Sequence, residues 1–224
     1  MIGIIAAEEK ELVEIKKIMT NVEEDKIYEK IVYIGKIHNK DTVLIQSNMG
    51  KVNSARVCQI LIDNFDIELI INVGSAGSTN NKLNIGDVVI ADTLIQHDYD
   101  VTPFGRKLGE IDNVGESIKV NKDLLDLFDS EKVNIGVIAS GDKFISNKEE
   151  KEKIGNTFNS LCVEMEGASI AQVCFLDNIP FLVIRSITDK LDGSAKVEYD
   201  EFLSSSSKIA AHILKDFIFK YINK

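Results

Sequence analysis

The segment "LIINV" at residues 69–73, followed by "GSAGS" at residues 74–78, is the part of the sequence that best indicates the fold. Apolar residues occupy both odd and even positions of the first segment, which is typical of a central strand covered by helices on two sides. Similar short runs alternate with helical patterns along the chain. This alternation predicts an α/β fold with a mixed, mostly parallel sheet. The other predicted strands are 2–7, 31–37, 42–48, 87–95, 134–140, 160–165 and 181–187, and the predicted helices are 8–19, 52–64, 121–130, 148–154, 166–176 and 200–222.

Composition excludes several classes of protein. The chain has 224 residues, 44% of them hydrophobic, and shows no linker or repeat, so we expect a single domain spanning residues 1–224. A formal net charge of −10 argues against nucleic acid or an anionic membrane as a partner and favours a small molecule. The three cysteines lack metal-ligand spacing, so no metal site is predicted and all three are expected to be reduced. Without a signal-peptide pattern or an apolar run of roughly 20 residues, the expected location is cytoplasmic.

Several polar or aromatic residues directly follow predicted strands, where open α/β sheets bind their ligands. If the sheet is parallel there, these residues converge on one crevice. Two of these features also have a purely structural interpretation without a ligand: "GSAGS" could be a tight turn, and Asp189 could cap a helix. Neither a phosphate-loop nor a dinucleotide-binding glycine pattern occurs, so no cofactor is predicted. The residues concerned are Glu11, the "GSAGS" segment, Phe144, Glu166 and Asp189.

A set of motifs extends this interpretation over the whole chain: "GIIAAEEKE", "NVGSAGS", "DVTPFG", "SGDKFI", "VEMEGASIAQVC", "VIRSITD" and "YDEFL", in this order. In order and spacing the chain resembles the 5′-methylthioadenosine/S-adenosylhomocysteine nucleosidases of the purine nucleoside phosphorylase superfamily. The resemblance implies a three-layer, nucleoside phosphorylase-like fold with a central twisted, mixed sheet flanked by helices. It also implies a homodimer that hydrolyses the N-glycosidic bond of adenine thionucleosides without cofactor or metal.

The resemblance assigns expected roles to individual residues. Asp189 would be the general acid at adenine N7, Glu11 would position or deprotonate the attacking water, and Arg185 would help to hold that water. Glu166 would bind the ribose hydroxyls. A breaking adenine–ribose bond needs an acid at the base and negative charge near the sugar, which agrees with these assignments. The remaining expected site residues are Met165 against the sugar, Phe144 stacked on adenine, Ile145 at its edge, Ser75 and Met49 on the wall, Glu164 in support, Tyr199 over the 5′ group and Phe104 from the partner subunit.

Alternative functions remain on the same fold. A nucleoside phosphorylase would need cations to hold phosphate, yet the chain has only three arginines: Arg56, Arg106 and Arg185. In the hexameric phosphorylases an arginine stands two residues before the first glycine of the "GSAG" segment, and here that residue is Asn72. A futalosine or aminofutalosine hydrolase would share water attack and the ribose glutamate. A catalytically silent nucleoside-binding module would be expected to lack at least one of the three acids, all of which are present.

Overall fold

The computed structural model describes residues 1–191 and 195–224, and within them strands and helices alternate as predicted. The strands are β1 (Ile2–Ala6), β2 (Thr20–Ile27), β3 (Lys30–Ile37), β4 (Lys40–Gln46), β5 (Leu69–Ser78), β6 (Val88–Gln96), β7 (Ile118–Lys119), β8 (Asn134–Ser140), β9 (Ser160–Glu164) and β10 (Phe181–Asp189). The helices are α1 (Glu9–Lys17), α2 (Lys51–Asn64), α3 (Lys122–Leu125), α4 (Lys148–Phe158), α5 (Gly167–Leu176) and α6 (Ala195–Ile222), with a 3-10 helix at Thr102–Phe104. None of the described helices is both long enough and apolar enough to cross a membrane.

The strands form one sheet in the order β10–β6–β8–β9–β5–β1–β4–β3–β2, with β7 beside β6. Because β5 also pairs with β10, the strands β10, β6, β8, β9 and β5 close into a ring. Among the described ladders, five are parallel and five are antiparallel. The predicted mixed sheet is confirmed. The expectation that it is mostly parallel is wrong, because β6, β8 and β9 run opposite to β5.

The central strand β5 has different partners on its two edges. Along one edge, residues 70–77 pair with β10 in parallel. Along the other edge, β1 pairs in parallel with residues 69–72 and β9 pairs antiparallel with residues 77–78. The carboxyl ends of β1 and β9 therefore approach each other at residues 73–76. Within the described ladders this stretch has no strand partner on that edge, so its backbone polar groups need other partners. We call it the β5 gap.

The segment "GSAGS" lies in β5, so its interpretation as a tight turn is wrong. Its glycines are explained by close packing. A Cβ atom at Gly74 would lie 3.0 Å from Glu11 Oε1, and one at Gly77 would lie 2.7 Å from Asp189 Oδ2. The first contact would be very tight and the second would be an overlap, so the missing side chains let two carboxylates reach the strand.

Two helix pairs cover the sheet, α1 with α6 and α2 with α5, which gives the predicted three-layer arrangement. Strands β1 and β10 are buried along their whole length, as their continuous apolar runs predict. Some elements differ from the prediction. Helix α3 covers only four residues of the predicted 121–130, and neither the mostly exposed strand β2 nor the two-residue strand β7 was predicted.

Candidate active site

A cavity of about 500 Å³ opens at the β5 gap. Its lining comes from the region after β1, from β5, from the loop after β8, and from the ends of β9 and β10. These carboxyl ends meet because β1 and β9 approach the gap from opposite directions, whereas the sequence interpretation assumed a parallel sheet. Of the site residues predicted from the sequence, the cavity is lined by Glu11, Met49, Ser75, Phe144, Ile145, Glu164, Met165, Glu166, Asp189 and Tyr199, and not by Arg185 or Phe104.

Glu11 fills the β5 gap from the first turn of α1. Its Oε1 accepts hydrogen bonds from the backbone N–H and the hydroxyl of Ser75, at 2.9 and 3.0 Å. Its Oε2 accepts the backbone N–H groups of Ala7 and Glu8, at 3.1 and 3.0 Å. Burial raises the pKa of Glu11 above its ordinary value, although the donors from Glu8 and Ser75 and the charge of Arg185 act in the opposite direction. A fixed carboxylate with a raised pKa suits a group that accepts a proton from water.

Arg185 lies behind the carboxylates. It is 1% exposed, and its guanidinium donates hydrogen bonds to Glu164 and to Oδ1 of Asn72. Its Nη2 is also 3.8 Å from Oε2 of Glu166. The resemblance implied that Arg185 helps to hold the attacking water, and this role stays a prediction. The structure places it beneath the cavity wall, where it compensates the negative charge of neighbouring glutamates.

Glu164 serves as the anchor of this arrangement. Its carboxylate accepts hydrogen bonds from the Ser140 hydroxyl and Arg185, and from the backbone N–H groups of Glu166 and Gly167 at 3.0 and 2.8 Å. Burial alone would raise the pKa of Glu164, but Arg185 and these hydrogen bonds outweigh burial and hold the pKa below its ordinary value. Glu164 therefore stays ionised, and its oxygens are already engaged by the protein. The supporting role expected for Glu164 from the resemblance stays a prediction.

Glu166 has a different environment from Glu164. It stands at the N-terminus of α5, and its Oε1 accepts the backbone N–H of Gly50 at 2.9 Å. Burial, followed by the negative charge of Glu164, raises the pKa of Glu166 to about 8. A carboxyl group that ionises in this range gains most when positive charge develops beside it, because such charge favours its ionised form.

Asp189 ends β10 at a register shift. The ladder with β5 is irregular between Ile187 and Asp189, and such an irregularity re-aims a side chain. Oδ1 of Asp189 accepts the Thr188 hydroxyl at 3.0 Å, and Oδ2 lies 2.5 Å from the Lys151 ammonium. Asp189 is 2% exposed yet lines the cavity. A buried carboxyl group at the cavity wall can exchange a proton with a bound ligand while bulk water is excluded.

An aromatic wall faces these acids. Phe144 is 42% exposed, and its ring makes an edge contact with Tyr199, with 5.7 Å between the ring centroids. Ile145 is buried beside it. Phe104 lies in the 3-10 helix and is 86% exposed, so it does not reach the cavity of its own chain. The expectation that Phe104 reaches the site of a partner subunit stays a prediction.

Four residues that organise the site were not predicted: Gly50, Asn72 as a partner of Arg185, Ser140 and Lys151. The sequence drew attention to Asn72 only because an arginine stands at this position in the hexameric phosphorylases. Lys151 sits in the charged segment "NKEEKEK", which is typical of an exposed helix face and hides a buried lysine.

Positive charge is scarce at the cavity. Among the described residues that line it, Lys143 is the one cationic side chain, and its ammonium pairs with Glu150. Arg56 and Arg106 form ion pairs on the surface. Within residues 1–191 and 195–224, no cluster of three or more His, Cys, Asp or Glu could hold a metal ion.

Comparison with known proteins identifies the family of this chain. The sequence profile of the phosphorylase superfamily matches residues 1–219. This chain belongs to the phosphorylase superfamily. Within the superfamily, it is 38% identical to the 5′-methylthioadenosine/S-adenosylhomocysteine nucleosidase of Staphylococcus carnosus, with 97% of this chain and 99% of the relative covered.

Solved structures of superfamily members share the fold. The 5′-methylthioadenosine/S-adenosylhomocysteine nucleosidase of S. pneumoniae, solved with the transition-state inhibitor MT-ImmA, has a TM-score of 0.94 and 35% identity, covering 98% of this chain and 99% of that one. The futalosine hydrolase of Helicobacter pylori has a TM-score of 0.92 and 34% identity, covering 98% and 97%. Hydrolases of two nucleoside types therefore share this phosphorylase-superfamily fold.

The raised pKa of Glu166 predicts a specific dependence of stability on pH. Since the folded pKa is about 8 against an ordinary value of 4.5, the folded state binds a proton that the unfolded state has lost between these values. Stability from this group is complete below about pH 4.5 and is lost as the pH rises through about 8. We expect the Glu166→Gln variant to lack this loss of stability, which in the wild type is up to about 1.4 kcal/mol of unfolding free energy per pH unit.

The measurement is urea unfolding of the wild type and Glu166→Gln at intervals from pH 5 to pH 8. The exposed Glu149→Gln change on α4 is the matched control and should keep the wild-type slope. Parallel slopes for the wild type and Glu166→Gln would show that the Glu166 pKa is not raised.

Proposed function

We propose that this chain hydrolyses the N-glycosidic bond of 5′-methylthioadenosine and S-adenosylhomocysteine. The products are adenine with 5-methylthioribose or with S-ribosylhomocysteine. The observation that carries the proposal is the set of buried carboxyl groups on the cavity wall, with Asp189 beside Gly77, Glu11 bound to Ser75 and Glu166 bound to Gly50, and with Lys143 as the one described cationic lining residue. This set supplies an acid for the base and negative charge for the sugar.

The chemistry follows from the electronic demands of the reaction. Adenine leaves poorly as an anion, so Asp189 donates its proton to N7 while the electron pair of the C1′–N9 bond passes to the base. As the sugar becomes cationic, its positive charge favours the ionised form of Glu166, and the carboxylate stabilises the sugar through the ribose hydroxyls. A water oxygen bonds to C1′, and Glu11 accepts the released proton. Proton exchange with solvent then returns a proton from Glu11 to Asp189.

The environment of Glu11 favours water over phosphate as the nucleophile. Its carboxylate is fixed by four donors from Ala7, Glu8 and Ser75, and negative charge at this position repels a phosphate dianion. Arg185, the arginine nearest to the site, is engaged by Glu164 and Asn72. Asn72 in turn donates to the backbone oxygen of Ile5 at 3.0 Å. The position occupied by arginine in the hexameric phosphorylases thus holds a buried structural amide.

Adenine release should require no phosphate. We expect the purified protein to release adenine from 5′-methylthioadenosine in phosphate-free buffer, and added phosphate to leave the rate unchanged. The measurement follows adenine by absorbance and identifies the sugar by mass. A requirement for phosphate, with a sugar 1-phosphate as product, would replace this proposal by phosphorolysis.

Asp189 should be essential for the departure of the base. Asp189→Asn cannot donate the proton, so we expect kcat to fall by roughly 10²–10⁴-fold, the usual contribution of general acid catalysis. The exposed Asp177→Asn change, at the end of α5, is the control for the same chemical change elsewhere. An Asp189→Asn enzyme with most of the wild-type kcat would remove Asp189 from the mechanism.

We further propose a homodimer in which Phe104 reaches the cavity of the partner subunit. The support is that Phe104 is 86% exposed and that Met49, on the cavity wall, is 52% exposed. Large apolar side chains exposed beside a binding site are typical of an interface.

If Phe104 completes the partner's site, Phe104→Ala should raise KM by roughly 10-fold, equivalent to about 1.4 kcal/mol of lost contact, and should change kcat less. Sedimentation of the wild type should show a dimer. The exposed Phe219→Ala change on α6 serves as the control. A monomeric wild type, or an unchanged KM in Phe104→Ala, would contradict the shared site.

Futalosine is the second candidate substrate, because the Helicobacter pylori futalosine hydrolase is 34% identical to this chain over nearly its whole length. The same assay decides between the substrates when futalosine and aminofutalosine are included in the panel. If futalosine or aminofutalosine has a higher kcat/KM than the adenine thionucleosides, it becomes the assigned substrate. Hydrolysis by the same residues would still hold.

The proposed enzyme is cytoplasmic and consists of one nucleosidase domain over residues 1–224. Supporting the location, its cysteines Cys58, Cys162 and Cys174 are buried and unpaired by disulfides. Supporting the single domain, the superfamily profile spans residues 1–219.

A further inference from the structure

Lys151 is a buried cation next to the acid of the proposed reaction. Both Lys151 and Asp189 are nearly inaccessible, with side chains 1% and 3% exposed. The Lys151 ammonium lies 2.5 Å from Asp189 Oδ2 and donates a second hydrogen bond to the backbone oxygen of Lys190, at 2.7 Å. Lys151 is absent from the described cavity lining, so it stands behind Asp189 with respect to a ligand. A fully buried lysine is rare and needs an anionic partner.

Helix α4 holds Lys151 in this position. Its N-terminus is capped by the Asn147 side chain, which accepts the backbone N–H of Glu150 at 2.8 Å. One turn after Lys151, Gly155 packs so closely that a Cβ there would lie 2.7 Å from the backbone oxygen of Thr79. Residues four apart lie on the same helix face, so Lys151 lies on the face of α4 that packs against the sheet. The lysine is positioned by the fold and does not depend on a ligand.

We propose that Lys151 is a positioning residue for Asp189, which fixes its carboxyl group and compensates the negative charge left there when the proton passes to the leaving base. This inference rests on the function proposed above. A carboxylate formed in a water-excluded site is costly unless a cation or donors compensate it. Lys151 touches the acid and no reacting atom, so it acts through Asp189. Gly77, with its missing side chain, leaves room for Oδ2 beside the ammonium.

Other groups near Asp189 leave this charge relationship intact. Cys162, on β9, lies within electrostatic range of Asp189, and burial, followed by the charge of Glu164, raises the pKa of its thiol, which therefore stays neutral. From the preceding position, the Thr188 hydroxyl donates to Oδ1 and carries no charge. The other charged residues of these two strands, Glu164 and Arg185, pair with each other, so Lys151 is the cation in direct contact with Asp189 among the described contacts.

The test compares Lys151→Met, Lys151→Arg and the matched control Lys153→Met, an exposed lysine on the same helix, in adenine release from 5′-methylthioadenosine. We expect Lys151→Met to lower kcat by roughly 10²-fold, as for loss of one preorganised electrostatic partner, with KM nearly unchanged. Because the ammonium favours the ionised carboxylate, its removal should move the alkaline fall of kcat/KM to higher pH by roughly one unit or more. Lys151→Arg keeps the positive charge, so its pH profile should lie closer to that of the wild type than the profile of Lys151→Met does.

A double-mutant cycle separates this role from a structural one. In an Asp189→Asn background, Lys151→Met should have no further effect on kcat, because the group through which Lys151 acts is gone. If Lys151→Met does not fold, two measurements still test the proposal. One is the pH profile of Lys151→Arg. The other is kcat of the Lys151→Met/Asp189→Asn double variant, which has no unpaired buried charge, compared with Asp189→Asn alone.

The proposal is overturned if Lys151→Met lowers thermal stability but keeps the wild-type kcat and pH profile. It is equally overturned if the effects of Lys151→Met and Asp189→Asn are additive. Failure of the function itself would be seen separately, as a wild-type enzyme that releases no adenine.

Discussion

The interruption of hydrogen bonding along one edge of β5 is the constraint on which the site depends. Two strands of opposite direction, β1 and β9, occupy the ends of that edge and leave residues 73–76 between them. A buried N–H without a partner costs free energy comparable to a lost hydrogen bond, so something must fill the gap. Glu11 does so by accepting the N–H of Ser75 at 2.9 Å. A side chain needed for sheet integrity is thereby fixed at the place where the proposed chemistry needs a carboxylate.

A single guanidinium organises the remaining charge. Arg185 contacts Glu164 directly and lies 3.8 Å from Glu166, so one cation serves two carboxyl groups. The result is unequal, because the pKa of Glu164 is held low whereas that of Glu166 is raised to about 8. Carboxyl groups two residues apart in sequence thus acquire different properties, one as a permanent anion and the other as a group whose charge responds to the ligand.

The sequence predicted the buried strands well, because continuous apolar runs such as those of β1 and β10 have few alternatives. It did not predict β2, whose residues "TNVEEDKI" are polar and are held by pairing with β3, a long-range contact without a local signal. The strand-end rule found Glu11 and Asp189, although the convergence of β1 and β9 on the β5 gap is antiparallel. The role of Lys151 could not be predicted, because only the packing of α4 against the sheet shows that one lysine among several is buried.

The bare backbone of β5 has a consequence for how such a site can diversify. At Gly77 an added Cβ atom would collide with an oxygen of Asp189, and at Gly74 it would crowd an oxygen of Glu11, so a side chain at either position would shift an acid. These two positions therefore offer little room for adjusting ligand fit. The opposite wall, with Met49 and Phe144 half exposed at the mouth, consists of side chains that can be exchanged at little structural cost. Selectivity among nucleosides can drift on the exposed wall while the acids stay in register with the strand.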